Sequence, residues 1–187
     1  MGDLAKRRAT YEDLLAVPSN LIAEIIHGTL VTQPRPASPH ALAATVLTAE
    51  IGRPFHRGKG GPGGWIILYE PELHLRGGHV LVPDIAGWRR ERMPEMPRAA
   101  AFELAPDWVC EVLSESTEAR DRADKMPIYA GEKVRHIWLV DPIARTLEVF
   151  RLEGERWTLL GTWRDDALVR GEPFDAIELE LGALWKR

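Results

Sequence analysis

The sequence predicts an α/β fold in which a mixed β-sheet is flanked by helices. Apolar residues recur at helical spacing from Ser38-Pro39 to Gly52, which indicates an amphipathic helix. Short apolar runs follow at residues 65–69, 107–113 and 134–140, and each has the length and composition of a buried strand. Helical and strand-like segments therefore alternate along the chain, which is the pattern of an α/β protein.

Caps and turn residues place the other elements. Thr10 and Asp13 have the spacing of a capping box, which predicts a short helix that stops near Pro18. Ser116-Thr117 predicts the start of a polar helix over residues 118–130. Further strands are predicted at residues 22–33 as a hairpin, at 72–76, at 80–88, at 146–163 as a second hairpin, and at 177–181.

The chain shows no repeat, no low-complexity tract and no linker, so residues 1–187 are predicted to form one domain. A length of 187 residues, of which 45% are hydrophobic, is sufficient for a substantial core. Residues 93–106 are expected to form a crossing loop, and a short helix over residues 98–104 is the alternative.

Composition excludes several classes of protein. No apolar run approaches the roughly 20 residues of a membrane-spanning helix, and no charged-then-apolar leader opens the chain. The lone Cys110 excludes an internal disulfide framework and a zinc site with several cysteines. We therefore expect a cytoplasmic protein without a membrane partner.

The net charge of −4 argues against binding to nucleic acid through bulk positive charge. The charge is unevenly spread, however, because residues 35–98 hold 9 basic and 6 acidic side chains, and the excess of acid lies in residues 99–187. The basic middle part contains loops that we expect to lie nearest to the candidate site described next.

Two carboxylates stand where the pattern favours apolar residues. Asp84 is the acidic residue of the apolar run 80–88, and Glu111 lies within the run 107–113. A buried carboxylate costs several kcal/mol, in the range of about 3–5, unless it is paired or bound to a cation. Neighbouring strands would bring both carboxylates to one point, where they suit Mg²⁺ or Mn²⁺. The alternative is that each carboxylate pairs with an arginine or faces water at a strand end.

A lysine on the following helix adds to this pattern. Asp121, Lys125 and Tyr129 are spaced at i, i+4 and i+8, so they share one helix face. A helix packed over the Glu111 strand would direct Lys125 toward the two carboxylates. The alternative is a surface lysine paired with Asp121.

Taken together, these segments resemble the Uma-type restriction endonuclease family of the PD-(D/E)XK nuclease superfamily. The resemblance covers about residues 11–163. It is carried by Pro83-Asp84, by residues 111–114, by the Asp121/Lys125/Tyr129 spacing, by residues 138–142, by the hairpin at 22–28 and by Ser38-Pro39-His40.

The resemblance implies a restriction-endonuclease-like core, with a mixed sheet, flanking helices and additional β-hairpins. It implies that Asp84 and Glu111 are catalytic metal ligands. Leu113 stands where the (D/E)XK motif has its lysine, and Lys125 is the residue that matches the family's displaced lysine. Glu24 and His40 carry over as further catalytic residues, and Glu72 is a further candidate.

The implied activity is hydrolysis of phosphodiester bonds in DNA by a Mg²⁺-dependent endonuclease, with Mn²⁺ as a substitute. The alternative is a nuclease-fold protein that binds nucleic acid or a protein partner without cutting, because the displaced lysine does not complete the site. Binding to DNA is expected to be weak without metal and steeply dependent on salt. The glycine-rich loop 58–64 and residues 89–92 are candidate contacts to the DNA backbone, and the exposed hairpin 146–163 favours a homodimer.

Overall fold

Two β-sheets form the framework of the protein, for which a computed structural model describes residues 7–186. The helices are α1 (Tyr11–Leu15), α2 (Ser38–Ile51), α3 (Glu118–Arg120) and α4 (Met126–Gly131), with π-helical turns at Gly52–His56 and Asp121–Lys125 and 3₁₀ turns at Arg76–Gly78 and Leu181–Leu184. The strands are β1 (Leu21–Ile26), β2 (Thr29–Pro34), β3 (Trp65–Tyr69), β4 (Glu72–Leu75), β5 (His79–Leu81), β6 (Ile85–Arg89), β7 (Ala101–Phe102), β8 (Trp108–Val112), β9 (His136–Asp141), β10 (Thr146–Glu153), β11 (Arg156–Arg164), β12 (Leu168–Val169) and β13 (Leu179–Glu180).

The larger sheet is mixed. Its six strands have the order β11-β10-β9-β8-β6-β3, in which β8 and β9 are parallel and the other neighbours are antiparallel. A second sheet has the order β2-β1-β5-β4-β7, and β12 pairs with β13. The predicted α/β class with additional hairpins is therefore confirmed, and β1–β2 and β10–β11 are the two predicted hairpins.

Helices cover both faces of the six-stranded sheet. On one face α2 packs through Ala43, Ala44 and Leu47 into a core that contains the buried rings of Trp65 and Trp108. On the other face lies α4, which belongs to the connection from β8 to β9. Its apolar side chains pack against strands of the second sheet. The parallel pair β8–β9 is consequently buried on both sides, as the continuous apolar runs indicate.

The strand predicted at residues 80–88 is in fact two strands in different sheets. β5 belongs to the five-stranded sheet and β6 to the six-stranded sheet. Pro83 lies between them and has no N–H to donate to a strand ladder, so the pairing is interrupted there. As a result, Asp84 stands at the junction of the two sheets.

The structure also tests smaller predictions about strand pairing and helix caps. Residues 98–104 are not a helix, because Ala101-Phe102 pairs in parallel with β4. The capping box at Thr10 is confirmed. Within the described chain Thr117 makes no side-chain cap to α3, because its hydroxyl lies 3.0 Å from the hydroxyl of Ser114 instead. The prediction of one domain over residues 1–187 stays a prediction.

Among residues 7–186, no helix is long and apolar enough to cross a membrane.

Candidate active site

The candidate site lies where the two sheets meet, at the end of the six-stranded sheet at which β8 finishes and β6 begins. Ile85 pairs with Cys110, so continuing this antiparallel register by one residue places Asp84 beside Glu111. Glu24 comes from β1 of the other sheet, and Lys125 comes from the π-helical turn between α3 and α4. The predicted helix therefore packs over the Glu111 strand.

Lys125 is the centre of a buried cluster of charges. Its Nζ lies 3.0 Å from Glu24 Oε1, 3.2 Å from Glu111 Oε2 and 3.3 Å from Asp121 Oδ1. The side chain of Lys125 is only 3% exposed, and the three carboxylates are equally buried. Such a lysine is held by ion pairs that water does not screen, unlike a pair on the protein surface.

Hydrogen bonds fix the orientation of each carboxylate. The backbone N–H of Val82 donates to Glu24 Oε1 at 2.8 Å, and that of Val112 donates to Asp84 Oδ2 at 2.7 Å. The hydroxyl of Tyr129 donates to Glu111 Oε1 at 2.6 Å. By contrast, Glu24 Oε2 is buried without a hydrogen-bond partner among residues 7–186. His40 Nδ1 is likewise buried without a partner among these residues, so two polar atoms of the site have unused hydrogen-bonding capacity.

His40 and Asp84 form a second pair at the edge of the cluster. His40 Nε2 lies 3.2 Å from Asp84 Oδ1, and the side chains are 13% and 14% exposed. Burial lowers the pKa of His40, but the hydrogen bond and the charge of Asp84 more than offset this effect, so that the pKa lies above its usual value. His40 is therefore easier to protonate beside Asp84 than a free histidine is.

A cavity of about 200 Å³ gives access to this pair. It is lined by His40 and Asp84, by the segment from Gln33 to Ala37, and by the hydroxyl-bearing residues Ser114, Ser116 and Thr117. Glu111 is only 2% exposed and does not line the cavity. A ligand would consequently meet Asp84 and His40 before it met the buried cluster.

The cluster holds more negative charge than Lys125 can balance. Burial raises the pKa of Glu111 well above its usual value, even though the charge of Lys125 acts in the opposite direction. Burial lowers the pKa of Lys125, but Glu111, Glu24 and Asp121 outweigh it, and the pKa lies well above its usual value. Lys125 is therefore an ammonium ion, and the surplus charge falls on the carboxylates.

The structure brings five predicted site residues into one region: Glu24, His40, Asp84, Glu111 and Lys125. Their catalytic roles stay predictions. Glu72 lies elsewhere, because it accepts a hydrogen bond from Tyr11 and pairs with His74. Two residues of the cluster, Asp121 and Tyr129, were not predicted as site residues. Their signal was present in the i, i+4, i+8 spacing around Lys125, which placed all three on one helix face.

Two expectations concerned the metal ligands and the basic loops around the site. Among residues 7–186, no group of three or more His, Cys, Asp or Glu side chains is arranged to hold a metal ion. The basic part of the chain is not uniform in its distance from the site: Arg35 lines the cavity with His40 and Asp84, whereas the loop after β6 lies at the other end of that strand. Asp84 precedes β6 and Arg89 ends it, so at about 3.3 Å per residue the strand separates them by about 17 Å.

Comparisons with known proteins agree with this fold. Residues 8–182 match the model of a family described as "Putative restriction endonuclease". The chain therefore belongs to this family, which is named Uma2. The family resemblance found in the sequence is thereby confirmed, and a search of curated proteins finds no match.

A solved structure has the same fold. The chain is similar to a protein from Anabaena variabilis ATCC 29413 that is described as a "putative nuclease belonging to DUF820". The two chains are 23% identical with a TM-score of 0.75, and the match covers 95% of this chain and 97% of that chain. The predicted restriction-endonuclease-like architecture is consistent with this neighbour.

Replacing Lys125 with methionine should destabilise the protein strongly. The Lys125→Met variant keeps the volume of the side chain but leaves Glu24, Glu111 and Asp121 buried without a positive charge. We expect the free energy of unfolding to fall by about 3–5 kcal/mol, measured by urea denaturation in EDTA. The matched control is Lys186→Met, since Lys186 pairs with Asp166 on the surface at 67% exposure. The control should change by less than about 0.5 kcal/mol, and equal losses in both variants would contradict the role of burial.

The pKa of His40 should depend on the charge of Asp84. In Asp84→Asn the burial of His40 remains while the charge that opposes it is removed, so the pKa should fall from above to below its usual value. Titration of the histidine ring signals by NMR in EDTA measures this shift. In the wild type, the raised pKa means that the pair stabilises the fold at low pH and loses this contribution as pH rises through the pKa of folded His40. An unchanged pKa in the variant would show that Asp84 is not its main electrostatic partner.

Proposed function

We propose that this protein is a metal-dependent endonuclease that hydrolyses phosphodiester bonds in DNA. The observation that carries the proposal is the position of Asp84 beside Glu111, with the Lys125 ammonium 3.2 Å from Glu111 Oε2. Two neighbouring carboxylates and a lysine are the groups that phosphodiester hydrolysis requires for metal binding and charge compensation. Membership of a restriction endonuclease family supports the same class of reaction.

The donor set suits Mg²⁺, for which Mn²⁺ would substitute. Mg²⁺ is usually held by one or two carboxylates and keeps several water molecules, so Asp84 and Glu111 are sufficient as protein ligands. The unpartnered Oε2 of Glu24 and the surplus negative charge around Lys125 also fit a divalent cation. Bound there, the ion would lower the pKa of a water molecule and polarise the phosphate.

The residues around the two proposed metal ligands have separate roles in this proposal. Lys125 compensates the carboxylates, so that acidic ligands can share one buried site and still accept a phosphate nearby. His40 pairs with Asp84 beside the cavity where a phosphate would enter, and its protonated form would add positive charge there. Tyr129 holds Glu111 through its hydroxyl, and Val82 N–H holds Glu24.

The alternative function is binding without cleavage. Two observations favour it: Lys125 is enclosed by three carboxylates, and the described residues contain no three-ligand metal group. In that case the ammonium would not reach a phosphate, and the protein would bind nucleic acid or a protein partner with an impaired site. Metal binding and cleavage are therefore the two properties to measure.

Removing either proposed metal ligand should abolish cleavage. For Asp84→Ala and Glu111→Ala we expect a loss of about 100-fold or more in the rate of Mg²⁺-dependent cleavage of plasmid DNA, because each carboxylate is needed to hold the ion. The control is Asp166→Ala, which removes a carboxylate that is 71% exposed and should retain full activity.

Circular dichroism and isothermal titration calorimetry complete this experiment. The variants should remain folded and should lose the heat of Mn²⁺ binding seen with the wild type. Full Mg²⁺-dependent cleavage by purified Asp84→Ala would overturn the assignment. A folded wild type that binds DNA but neither binds Mn²⁺ nor cleaves would favour the alternative.

The proposal includes a homodimer, since two sites assist the cleavage of both strands of a duplex. β11 is the outer strand of the six-stranded sheet, and its nine residues offer free backbone groups for a second copy. Light scattering in solution should give twice the mass of the chain, and a monomer at all concentrations would contradict it. A cytoplasmic location also stays a prediction.

A further inference from the structure

A positively charged surface lies at the end of the six-stranded sheet opposite to the candidate site. We define it as the basic pole, formed by the side chains of Arg53, Arg57, Lys59, Arg89 and Arg90. We propose that the basic pole binds the phosphate backbone of DNA without a metal ion and at a distance from the carboxylates. This inference rests on the proposed function, because it assumes that DNA is the substrate.

Backbone contacts join the three segments of the pole into one surface. The glycine-rich loop folds back onto the π-helical turn, since Lys59 N–H donates to Arg53 O and Gly63 N–H donates to Pro54 O. The turn after β6 packs against the same loop, because Arg90 N–H donates to Gly64 O at 2.9 Å. The five basic side chains therefore project from one continuous patch.

The positive charges of the pole are uncompensated. All five side chains belong to exposed residues, and within residues 7–186 none of them lies at ion-pair distance from a carboxylate. Arg92 is different, because it pairs at 2.8 Å with the buried Asp107. The segments 52–64 and 89–92 contain one acidic residue, Glu91, so the pole is basic within a protein of net charge −4.

Two of the arginines are held in place by the surrounding structure. The guanidinium carbon of Arg89 lies 4.2 Å from the centroid of the Trp65 ring, which is a cation–π contact. Arg90 donates through one terminal nitrogen to His56 O at 3.1 Å. Both residues are exposed, and fixing their guanidinium groups in advance reduces the entropy that is lost when they bind phosphate.

The glycine-rich loop allows a backbone to come close to the pole. Gly58, Gly60, Gly63 and Gly64 all have positive φ angles, which side chains rarely adopt, so this part of the surface carries few side-chain atoms. The loop lacks the lysine and hydroxyl residue that end a phosphate-binding P-loop. The glycine-rich loop is therefore suited to contact a phosphate backbone and not to bind a nucleoside triphosphate.

Two independent measures give the distance from the pole to the candidate site. Along β6, Asp84 and Arg89 are about 17 Å apart at about 3.3 Å per residue. Along α2 and its π-helical turn, His40 and Arg53 are about 20 Å apart at about 1.5 Å per residue. Since DNA advances about 3.4 Å per base pair, one duplex that contacts both regions must extend about five or six base pairs beyond the cleaved bond.

The test compares two triple variants that remove the same charge. The test variant is Lys59→Ala/Arg89→Ala/Arg90→Ala. The control is Arg76→Ala/Arg164→Ala/Lys186→Ala, whose side chains are 73%, 82% and 67% exposed and each pair with a carboxylate, which is exposed for Arg164 and Lys186 and largely buried for Arg76. Binding to a fluorescent 30-base-pair duplex is measured by anisotropy in EDTA over a series of salt concentrations.

We expect the test variant to bind at least about tenfold more weakly in about 50 mM salt and its salt slope to fall by about 3, since about 0.9 is lost per phosphate contact. The control should change affinity by less than about threefold. Wild-type affinity in the test variant, or equal losses in both variants, would overturn the proposal. Equal competition by poly-glutamate at matched charge would show that the pole binds any polyanion, which also overturns it.

The same experiment separates this inference from the proposed function. Asp166→Ala, which removes an exposed carboxylate outside both regions, should bind the duplex in EDTA as the wild type does, because the basic pole is intact. If the wild type shows no cleavage but the pole still binds DNA, the proposed catalysis fails and the binding surface stands. If cleavage depends on Asp84 but the test variant binds normally, only the basic pole is wrong.

Discussion

The buried ammonium of Lys125 is the interaction that holds the two sheets in register at the candidate site. Glu24 comes from the five-stranded sheet, Glu111 from the six-stranded sheet and Asp121 from the helix that carries Lys125. Removal of the positive charge would leave buried carboxylates that repel each other, so all three elements are tied to one position. The packing of α4 over β8, and therefore the position of Tyr129, follows from the same constraint.

This arrangement leaves the site short of positive charge. The backbone N–H groups of Val82 and Val112 and the hydroxyl of Tyr129 orient the carboxylates but carry no charge. The pKa of Glu111 is raised chiefly by its burial, and the negative charges of Asp121, Asp84 and Glu24 raise it further. Burying several carboxylates together is energetically unfavourable. In the proposed function a divalent cation binds between them and compensates their negative charge.

Local sequence patterns predicted much of the fold and part of the site. Asp84 and Glu111 stood out because they interrupt apolar runs, and the helix spacing placed Lys125 on one face with Asp121 and Tyr129 without deciding whether that face is buried. Three features depended on distant parts of the chain. Glu24 and Lys125 are about 100 residues apart in sequence, so only the family resemblance could connect them. Residues 80–88 are divided between two sheets because β5 pairs with the distant β1 and β6 with the distant β8, and Pro83 marks the point of division. The parallel pairing of β7 with β4 replaced a helix that local propensity allowed.

The basic residues show why nearness in sequence is a poor guide to nearness in space. Arg89 and Arg90 follow Asp84 closely in the chain, but the strand between them is extended and leads away from the carboxylates. The protein therefore separates its acidic and basic regions along one strand. In the proposed function this separation has a physical advantage: arginines placed next to Asp84 and Glu111 would neutralise the ligands that must hold a cation. Arginines at the far end of the strand can attract the phosphate backbone without competing for that site. The net charge of −4 thus combines two regions of opposite sign, and it does not by itself argue against binding to DNA.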